Sequence, residues 1–197
     1  YITQDLVPYV DANYRTIADR EHRAVGGNSM GATGALHFAF NHPDLFSIVG
    51  AHSPSLRIPP DDVIADANAY APYDPLRLAE TAPNLQTLQI WLDIGNQDPW
   101  RGNANGLHDR LVTRGIPHTW NMFPGMHEPS YWIAHSADYL RFYSNAFEHP
   151  ISAPTPMPVA AVPPTPQPTV PPAPDAPPAP QPAAQAVAAV KPGFQCR

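Results

Sequence analysis

The chain has 197 residues and a formal net charge of −6, and 16 of its 28 prolines lie in the last 48 positions. Those positions, residues 150–197, also hold 11 alanines and a single glycine, a composition that cannot bury a core and is expected to stay extended. Residues 1–149 carry 16 Asp and Glu against 9 Arg and no Lys, which argues against a nucleic-acid partner. The composition predicts one globular domain, residues 1–149, followed by a disordered Pro/Ala-rich linker or tail, residues 150–197.

Cysteine content and spacing narrow the possible chemistry further. The single cysteine, Cys196, allows neither an internal disulfide nor a thiolate zinc site. No H-x-x-x-H or H-E-x-x-H motif occurs, and there is no phosphate-binding or dinucleotide-type glycine motif. The sequence therefore predicts no metal and no cofactor. It also predicts no transmembrane segment, because no apolar run approaches the roughly 18 residues of a membrane span.

The spacing of apolar residues predicts alternating helices and strands along the domain. A first helix is expected over residues 2–20, with Pro8 tolerated in its first turn if the helix begins near Asp5. Strands are then expected at 24–27, 46–51, 88–94 and 118–123, and helices at 30–41, 76–80, 103–114 and 131–147. Strands that alternate with helices are typical of an α/β fold with a mostly parallel sheet, whose functional loops follow the carboxyl ends of the strands.

A Gly-Asn-Ser-Met-Gly pentapeptide at residues 27–31 separates a predicted strand from a helix rich in small residues. This G-x-S-x-G pattern in this context is typical of a nucleophile elbow, a tight turn that lifts the serine Oγ above the sheet. The turn also directs the next amide to the same space, at a helix N-terminus that favours a developing oxyanion. The pattern predicts Ser29 as the nucleophile and the Met30 amide as an oxyanion donor; a glycine-rich turn with an incidental serine is the alternative.

A serine nucleophile needs a base, and the base needs a carboxylate that orients it. In α/β hydrolases these residues follow in the chain order Ser, Asp or Glu, then His. Asp98 follows the third predicted strand, and His127 follows the fourth in a glycine-containing turn. We therefore predict a triad of Ser29, Asp98 and His127. Asp93, inside the third strand, is the rival acid, although its position is more typical of local capping or pairing.

Four further side chains are candidates for the substrate pocket. Trp100, Tyr131 and Trp132 flank the predicted acid and base and could form an apolar or sugar-stacking wall, with core packing as an equal alternative. His52 follows the second predicted strand at the same edge of the sheet. Pocket lining and packing are equally consistent with its position.

The chain resembles the Putative esterase family of α/β hydrolases in residues 23–36 and 41–46, which surround the elbow. This family includes esterase D-type S-formylglutathione hydrolases, feruloyl esterases and mycobacterial mycolyltransferases. The resemblance continues through the Gly-Asn-Gln-Asp run that ends at Asp98 and the Gly-Met-His run that ends at His127, and it covers about residues 2–147. It implies a serine esterase that cleaves small-molecule or carbohydrate carboxylic esters through an acyl-enzyme, with Ser29, Asp98 and His127 as the triad.

The sequence departs from the family pattern before the elbow. In such hydrolases several strands, and the loop with the second oxyanion N–H, precede the nucleophile strand, whereas only about 22 residues precede it here. We therefore expect the C-terminal part of an α/β-hydrolase fold with its N-terminal strands missing. Two other functions stay open: acyl transfer to a sugar or other alcohol, and a non-catalytic binding or scaffold module. A Pro/Ala spacer on an esterase favours an exported or extracellular enzyme, and a further domain could follow the tail.

Overall fold

The computed structural model describes residues 1–152, so the predicted tail lies almost entirely outside the described residues. Within them, four strands form one sheet in the order β1-β2-β3-β4, and every neighbouring pair is parallel. The strands are Ala24–Ser29 (β1), Ile48–Pro54 (β2), Gln89–Gly95 (β3) and Thr119–Phe123 (β4). The predicted α/β fold with a parallel sheet is confirmed. The domain boundary at residue 149 stays a prediction.

Six α-helices lie between and around these strands in the described residues. They are Val7–Asn13 (α1), Met30–Asn41 (α2), Ala67–Tyr70 (α3), Pro75–Thr81 (α4), Arg101–Thr113 (α5) and Pro129–Glu148 (α6). A π-helical turn, Ile2–Leu6, precedes α1, and a 3₁₀ turn, Leu85–Thr87, precedes β3. No helix within residues 1–152 is long and apolar enough to cross a membrane.

The first helix is shorter than the sequence predicts. Pro8 lies in the first turn of α1, where its missing N–H leaves no helical hydrogen bond unmade. The helix ends at Asn13 because Tyr14 adopts extended backbone, with φ −125° and ψ 161°. The residues after Asn13 are therefore not helical, although their apolar spacing predicted that the helix would continue to residue 20.

Residues 54–86 contain two short helices, of which the sequence analysis predicted only the second. Both helices begin at an aspartate whose side chain accepts hydrogen bonds from first-turn amides: Asp66 for α3 and Asp74 for α4. Pro75 occupies the first turn of α4, a position that suits its fixed φ. Capping residues therefore mark these helices in a segment where apolar periodicity does not.

The helices cover both faces of the sheet. A Cβ added to Gly27 would lie 2.7 Å from the backbone of Gly31 in α2, whereas one added to Gly26 would meet the Tyr143 hydroxyl of α6. Because consecutive strand residues point to opposite faces, α2 and α6 lie on opposite sides of the sheet. The main core lies on the α2 side, where α2, α4 and α5 pack together and bury large side chains such as Leu36, Phe40, Leu92, Leu107 and Leu111.

The buried face of α6 differs from the one that its apolar residues predict. Ile133 and Leu140 belong to the apolar residues of α6 at helical spacing, but their side chains are 73 % and 70 % exposed. The fully packed side chains of α6 are Tyr131, Tyr139 and Ala146. The two tyrosines face the sheet because their hydroxyls reach a buried polar group there, an attraction that a pattern of hydrophobicity does not register.

Candidate active site

The elbow forms where β1 runs directly into α2. Ser29 ends the strand and caps the helix with φ 56° and ψ −120°, a positive φ that non-glycine residues seldom adopt. Gly27 has to be glycine because its Cβ would collide with the backbone of Gly31. A Cβ on Gly31 would meet nothing within 4 Å. Steric contact therefore explains a glycine at the first position of the motif but not at the last. The tight approach of strand and helix presents Ser29 at the carboxyl edge of the sheet.

A continuous chain of hydrogen bonds joins Ser29, His127 and Asp98. His127 Nε2 lies 2.7 Å from Ser29 Oγ, and His127 Nδ1 lies 2.7 Å from Asp98 Oδ2. The Asp98 side chain is fully buried, and the imidazole is 19 % exposed. The three predicted residues, 98 positions apart at the extremes, are thus in contact in the order that nucleophile, base and acid require.

The loops that carry Asp98 and His127 are packed against each other. The Gln97 amide donates to the Gly125 carbonyl at 2.9 Å, and the Gly125 amide donates to Asn96 Oδ1 at 3.2 Å. A Cβ on Gly95 would lie 2.5 Å from the Gly125 oxygen, so the two backbones approach too closely for a side chain at that position. These contacts hold the carboxylate and the imidazole at a defined separation.

The Met30 amide is the first N–H of α2. First-turn amides have no acceptor within their own helix, and they carry the positive end of the helix dipole. The Met30 side chain is 79 % exposed. Position and dipole are those expected of an oxyanion donor next to Ser29.

A cavity of about 510 Å³ opens beside Ser29. Its walls combine aromatic, aliphatic and polar side chains: Ser29, Met30, Thr33, Gly34, His37, Ser55, Arg57, Val63, Ile64, Tyr70, Tyr73 and Trp100. Two larger cavities, of about 690 and 710 Å³, lie between α6 and the β3–β4 edge and along α1 and β1. Neither is lined by Ser29, so size alone does not locate the site.

Arg57 lines the cavity and contacts Trp100 and two aspartates. Its guanidinium carbon lies 5.0 Å from the centroid of Trp100, within cation–π range, and its Nη1 lies 2.9 Å from both Asp61 and Asp62. Burial lowers the pKa of His37, which also lines the cavity, and this favours its neutral form. The cavity therefore presents a largely uncharged, aromatic surface to a bound group.

Of these lining residues, Trp100 was predicted from the sequence, whereas Arg57, Tyr70, Tyr73 and His37 were not. Three of these belong to residues 54–74, which show no periodicity, and His37 lies within α2 without a motif. Only the approach of this segment to the elbow brings them together. The two caps at Asp66 and Asp74 were the available signal that the segment is ordered.

Trp132 and Tyr131, the other predicted wall residues, do not line the cavity. The Trp132 ring meets His127 edge-on, with 5.2 Å between centroids and 86° between planes, so it packs on the base. Its indole N–H is buried and has no partner among the described residues. Tyr131 is buried and directs its hydroxyl to Asp93 at 2.8 Å, away from Ser29.

His52 also lies outside the cavity. Of the two roles considered for it, pocket lining and packing, its contacts are those of a packed residue. Its ring is buried, stacks on Tyr139 at 3.7 Å, and contacts Asp93 Oδ1 through Nδ1 and the Tyr143 hydroxyl through Nε2. Both ring nitrogens are therefore used within the packed layer between the sheet and α6. Successive side chains of a strand point to opposite faces of the sheet, and that of His52 points to the face that α6 covers.

Asp93, the rival acid, is the centre of that buried layer. Its fully buried carboxylate accepts hydrogen bonds from four side chains: His52, Trp91, Tyr131 and Tyr139. Burial and the Asp93 charge raise the pKa of Tyr143 to about 12, and they also raise the pKa values of Tyr131 and Tyr139. The tyrosines thus stay protonated, as hydrogen-bond donors must. Asp93 joins the sheet to α6 rather than orienting His127.

Comparisons with known proteins show the family and the fold of the chain. The model of the family described as Putative esterase matches residues 1–143. The chain belongs to this family. A ferulic acid esterase structure superposes on this esterase-family chain with a TM-score of 0.67 and 25 % identity, covering 74 % of this chain and 60 % of that one. The described sheet and helices are therefore part of an α/β-hydrolase fold.

Two curated relatives are esterases of bacteria. An esterase of Mycobacterium tuberculosis strain H37Rv is 25 % identical over 158 residues, which cover 62 % of this chain and 34 % of the relative. The iron(III) salmochelin esterase of Escherichia coli is 28 % identical over 137 residues, which cover 66 % of this chain and 33 % of the relative. The chain spans about a third of the length of these curated relatives.

Proposed function

We propose that the protein is a serine hydrolase that cleaves carboxylic esters through an acyl-enzyme. The observation that carries this proposal is the hydrogen-bond chain from Ser29 Oγ through His127 to Asp98, with 2.7 Å at each step. These distances lie within the reach that proton transfer between nucleophile and base requires. Membership in the esterase family supports the same chemistry.

The reaction follows from the donors and acceptors in this chain. His127 Nε2 accepts the Ser29 proton as Oγ bonds to the ester carbonyl carbon, and the carbonyl electron pair moves to its oxygen. When the tetrahedral intermediate collapses, the alcohol leaves with the proton from Nε2 and the acyl group stays on Oγ. His127 then removes a proton from water as its oxygen attacks the acyl carbon, and the acid is released when the bond to Oγ breaks and Nε2 returns the proton to Oγ.

Asp98 and Met30 have supporting roles in this mechanism. Asp98 accepts a hydrogen bond from the Nδ1–H of His127, which leaves Nε2 free as the base and stabilises the imidazolium that forms. The Met30 amide donates to the developing oxyanion. It is the one oxyanion donor that residues 1–152 assign, and a single such donor is worth about 10²–10³ in rate.

The aromatic cavity beside Ser29 favours an apolar or aromatic group on one side of the ester. Trp100, Tyr70 and Tyr73 provide π faces, and Val63 and Ile64 provide aliphatic contacts. One of the similar structures is named as a ferulic acid esterase, and ferulic acid is an aromatic acid. We propose that the acyl group of the substrate occupies this cavity.

Covalent labelling tests the nucleophile directly. A fluorophosphonate probe added to the 197-residue chain is expected to modify one peptide, the one that contains Ser29, because this hydroxyl lies within hydrogen-bond reach of His127 Nε2 and beside the N-terminus of α2. Mass spectrometry of the digested protein identifies the site.

Two variants control the labelling experiment. Ser29→Ala should lose the label, and Ser136→Ala, which removes an exposed hydroxyl on α6, should retain it. A label on another residue would contradict the assignment of Ser29. No label on a folded protein would favour the non-catalytic binding module, whereas a labelled enzyme that passes its acyl group to an added alcohol in preference to water would be an acyltransferase.

Substrate choice tests the cavity. Trp100→Ala is expected to lower kcat/KM for p-nitrophenyl benzoate about 10-fold more than for p-nitrophenyl acetate, since only the benzoyl ring contacts the missing indole and an aromatic pair contributes about 0.5–1.5 kcal/mol beyond its buried area. Trp100→Phe keeps an aromatic face and should recover most of the difference. Equal losses for both esters would place the acyl group outside this cavity.

A further inference from the structure

Ser53 adopts a backbone conformation that a non-glycine residue rarely takes. Its φ is 52°, in the left-handed region, and it is one of three non-glycine residues with positive φ in the described chain. Another of the three is Ser29 at the elbow. Such conformations are costly, and they persist where surrounding structure imposes them, often at functional sites.

The strain at Ser53 coincides with a bulge in β2. His52 pairs with Asn28 of β1, but the next residue of β1, Ser29, pairs with Pro54, so Ser53 is an extra residue opposite the elbow. A bulge redirects the side chain that it contains. His52, which precedes the bulge, faces α6 by regular strand alternation, whereas the Ser53 side chain reaches the loops that follow β3 and β4.

The Ser53 hydroxyl contacts both the acid, Asp98, and the base, His127. Ser53 is fully buried, and its Oγ donates a hydrogen bond to Asp98 Oδ2, the oxygen that also accepts from His127 Nδ1. Ser53 Oγ lies 3.3 Å from His127 Nδ1 as well. The second carboxylate oxygen, Oδ1, accepts the Trp100 amide at 2.7 Å. Two donors outside the triad thus hold the carboxylate, one on each oxygen.

Glycine would occupy the Ser53 backbone position without strain, and the hydroxyl is what glycine lacks. We propose that Ser53 is a positioning residue of the active site, whose hydroxyl fixes the Asp98 carboxylate so that Oδ2 faces His127. This inference rests on the proposed function of the triad. It adds a fourth side chain, supplied by the strand next to the elbow, to the group that orients the base.

Two substitutions separate the hydroxyl from the backbone. Ser53→Gly removes the hydroxyl and relieves the strained φ, whereas Ser53→Ala removes the hydroxyl and keeps the Cβ. Both are expected to slow fluorophosphonate labelling of Ser29 about 10- to 100-fold, the effect of one lost hydrogen bond to a charged group. The Tm of Ser53→Gly should stay near that of the wild type, because relief of the strained φ offsets the lost hydrogen bond.

A spectroscopic measurement reads the same contact without catalysis. In proton NMR spectra of the full chain, the hydrogen-bonded Nδ1–H of His127 is expected to give a far-downfield resonance, assigned by its absence in Asp98→Asn. Both Ser53 variants should shift or broaden this resonance, because Asp98 Oδ2 loses one of its two donors.

The outcomes distinguish the inference from the proposed function. Labelling at the wild-type rate in both variants, or slower labelling with an unchanged resonance, would overturn the positioning role. Wild-type labelling in Ser53→Gly with slow labelling in Ser53→Ala would assign the effect to the backbone and would also overturn it. If the wild-type chain takes no label, the proposed function fails, and the resonance alone decides whether Ser53 positions Asp98.

Discussion

Replacing Asp98 with asparagine is expected to reduce kcat for p-nitrophenyl acetate by about 10⁴-fold. The variant keeps an oxygen for the Trp100 amide, so the loop retains its shape. Its side-chain NH₂ faces His127 Nδ1 and donates to it, which forces the imidazole proton onto Nε2. In that tautomer Nε2 has no lone pair for the Ser29 proton, and the base is lost without any change of fold.

Steady-state kinetics and near-UV circular dichroism of the same preparations measure the two parts of this prediction. Asp109→Asn is the matched control, because Asp109 is an exposed aspartate on α5 and its replacement should change neither signal. An Asp98→Asn variant with kcat within about 10-fold of the wild type would remove Asp98 from the role of orienting carboxylate.

Asp93→Asn, the same substitution five residues earlier, is expected to act on stability instead. The Asp93 carboxylate accepts four hydrogen bonds in a fully buried site, and an amide can accept only through its single oxygen. Its NH₂ would face side-chain donors such as the tyrosine hydroxyls of α6. We expect the free energy of unfolding to fall by about 2–4 kcal/mol, from weakened hydrogen bonds to a charged group and donors left buried.

Denaturant unfolding followed by circular dichroism measures this change, and Asp109→Asn serves again as the control, with an expected change of less than about 0.5 kcal/mol. The Asp93→Asn protein that remains folded should take the fluorophosphonate label at nearly the wild-type rate. A stable variant with lost labelling would reverse the roles that we assign to the two aspartates.

The contrast between these aspartates shows what chain order can and cannot predict. Asp98 was the preferred acid because it follows a strand at the edge where Ser29 lies, and the structure places it against His127. Asp93 was expected only to cap or pair locally, whereas its carboxylate accepts hydrogen bonds from four side chains. Its partners come from β2, β3 and α6, up to 46 residues away, and only the packing of α6 on the sheet brings them together.

Residues near the elbow could be predicted because their constraints are local. The strand-to-helix turn, the bounds of α2 and the need for Gly27 all follow from a few consecutive residues. The substrate cavity could not be predicted in the same way. Its walls include residues 55–73, whose side chains carry no period and reach Ser29 only through the tertiary path of that segment.

The concentration of proline in the last 48 residues predicted where the globular part of the chain lies. The G-x-S-x-G motif and the chain order of Ser29, Asp98 and His127 predicted the candidate triad from sequence alone. These features are local or depend on chain order in a parallel sheet, where every strand ends at the same edge. The tertiary structure decided which side chains turn toward that edge. Strand alternation turns His52 toward α6, whereas a one-residue bulge at the next position takes Ser53 out of the regular pairing with β1 and lets its hydroxyl reach Asp98.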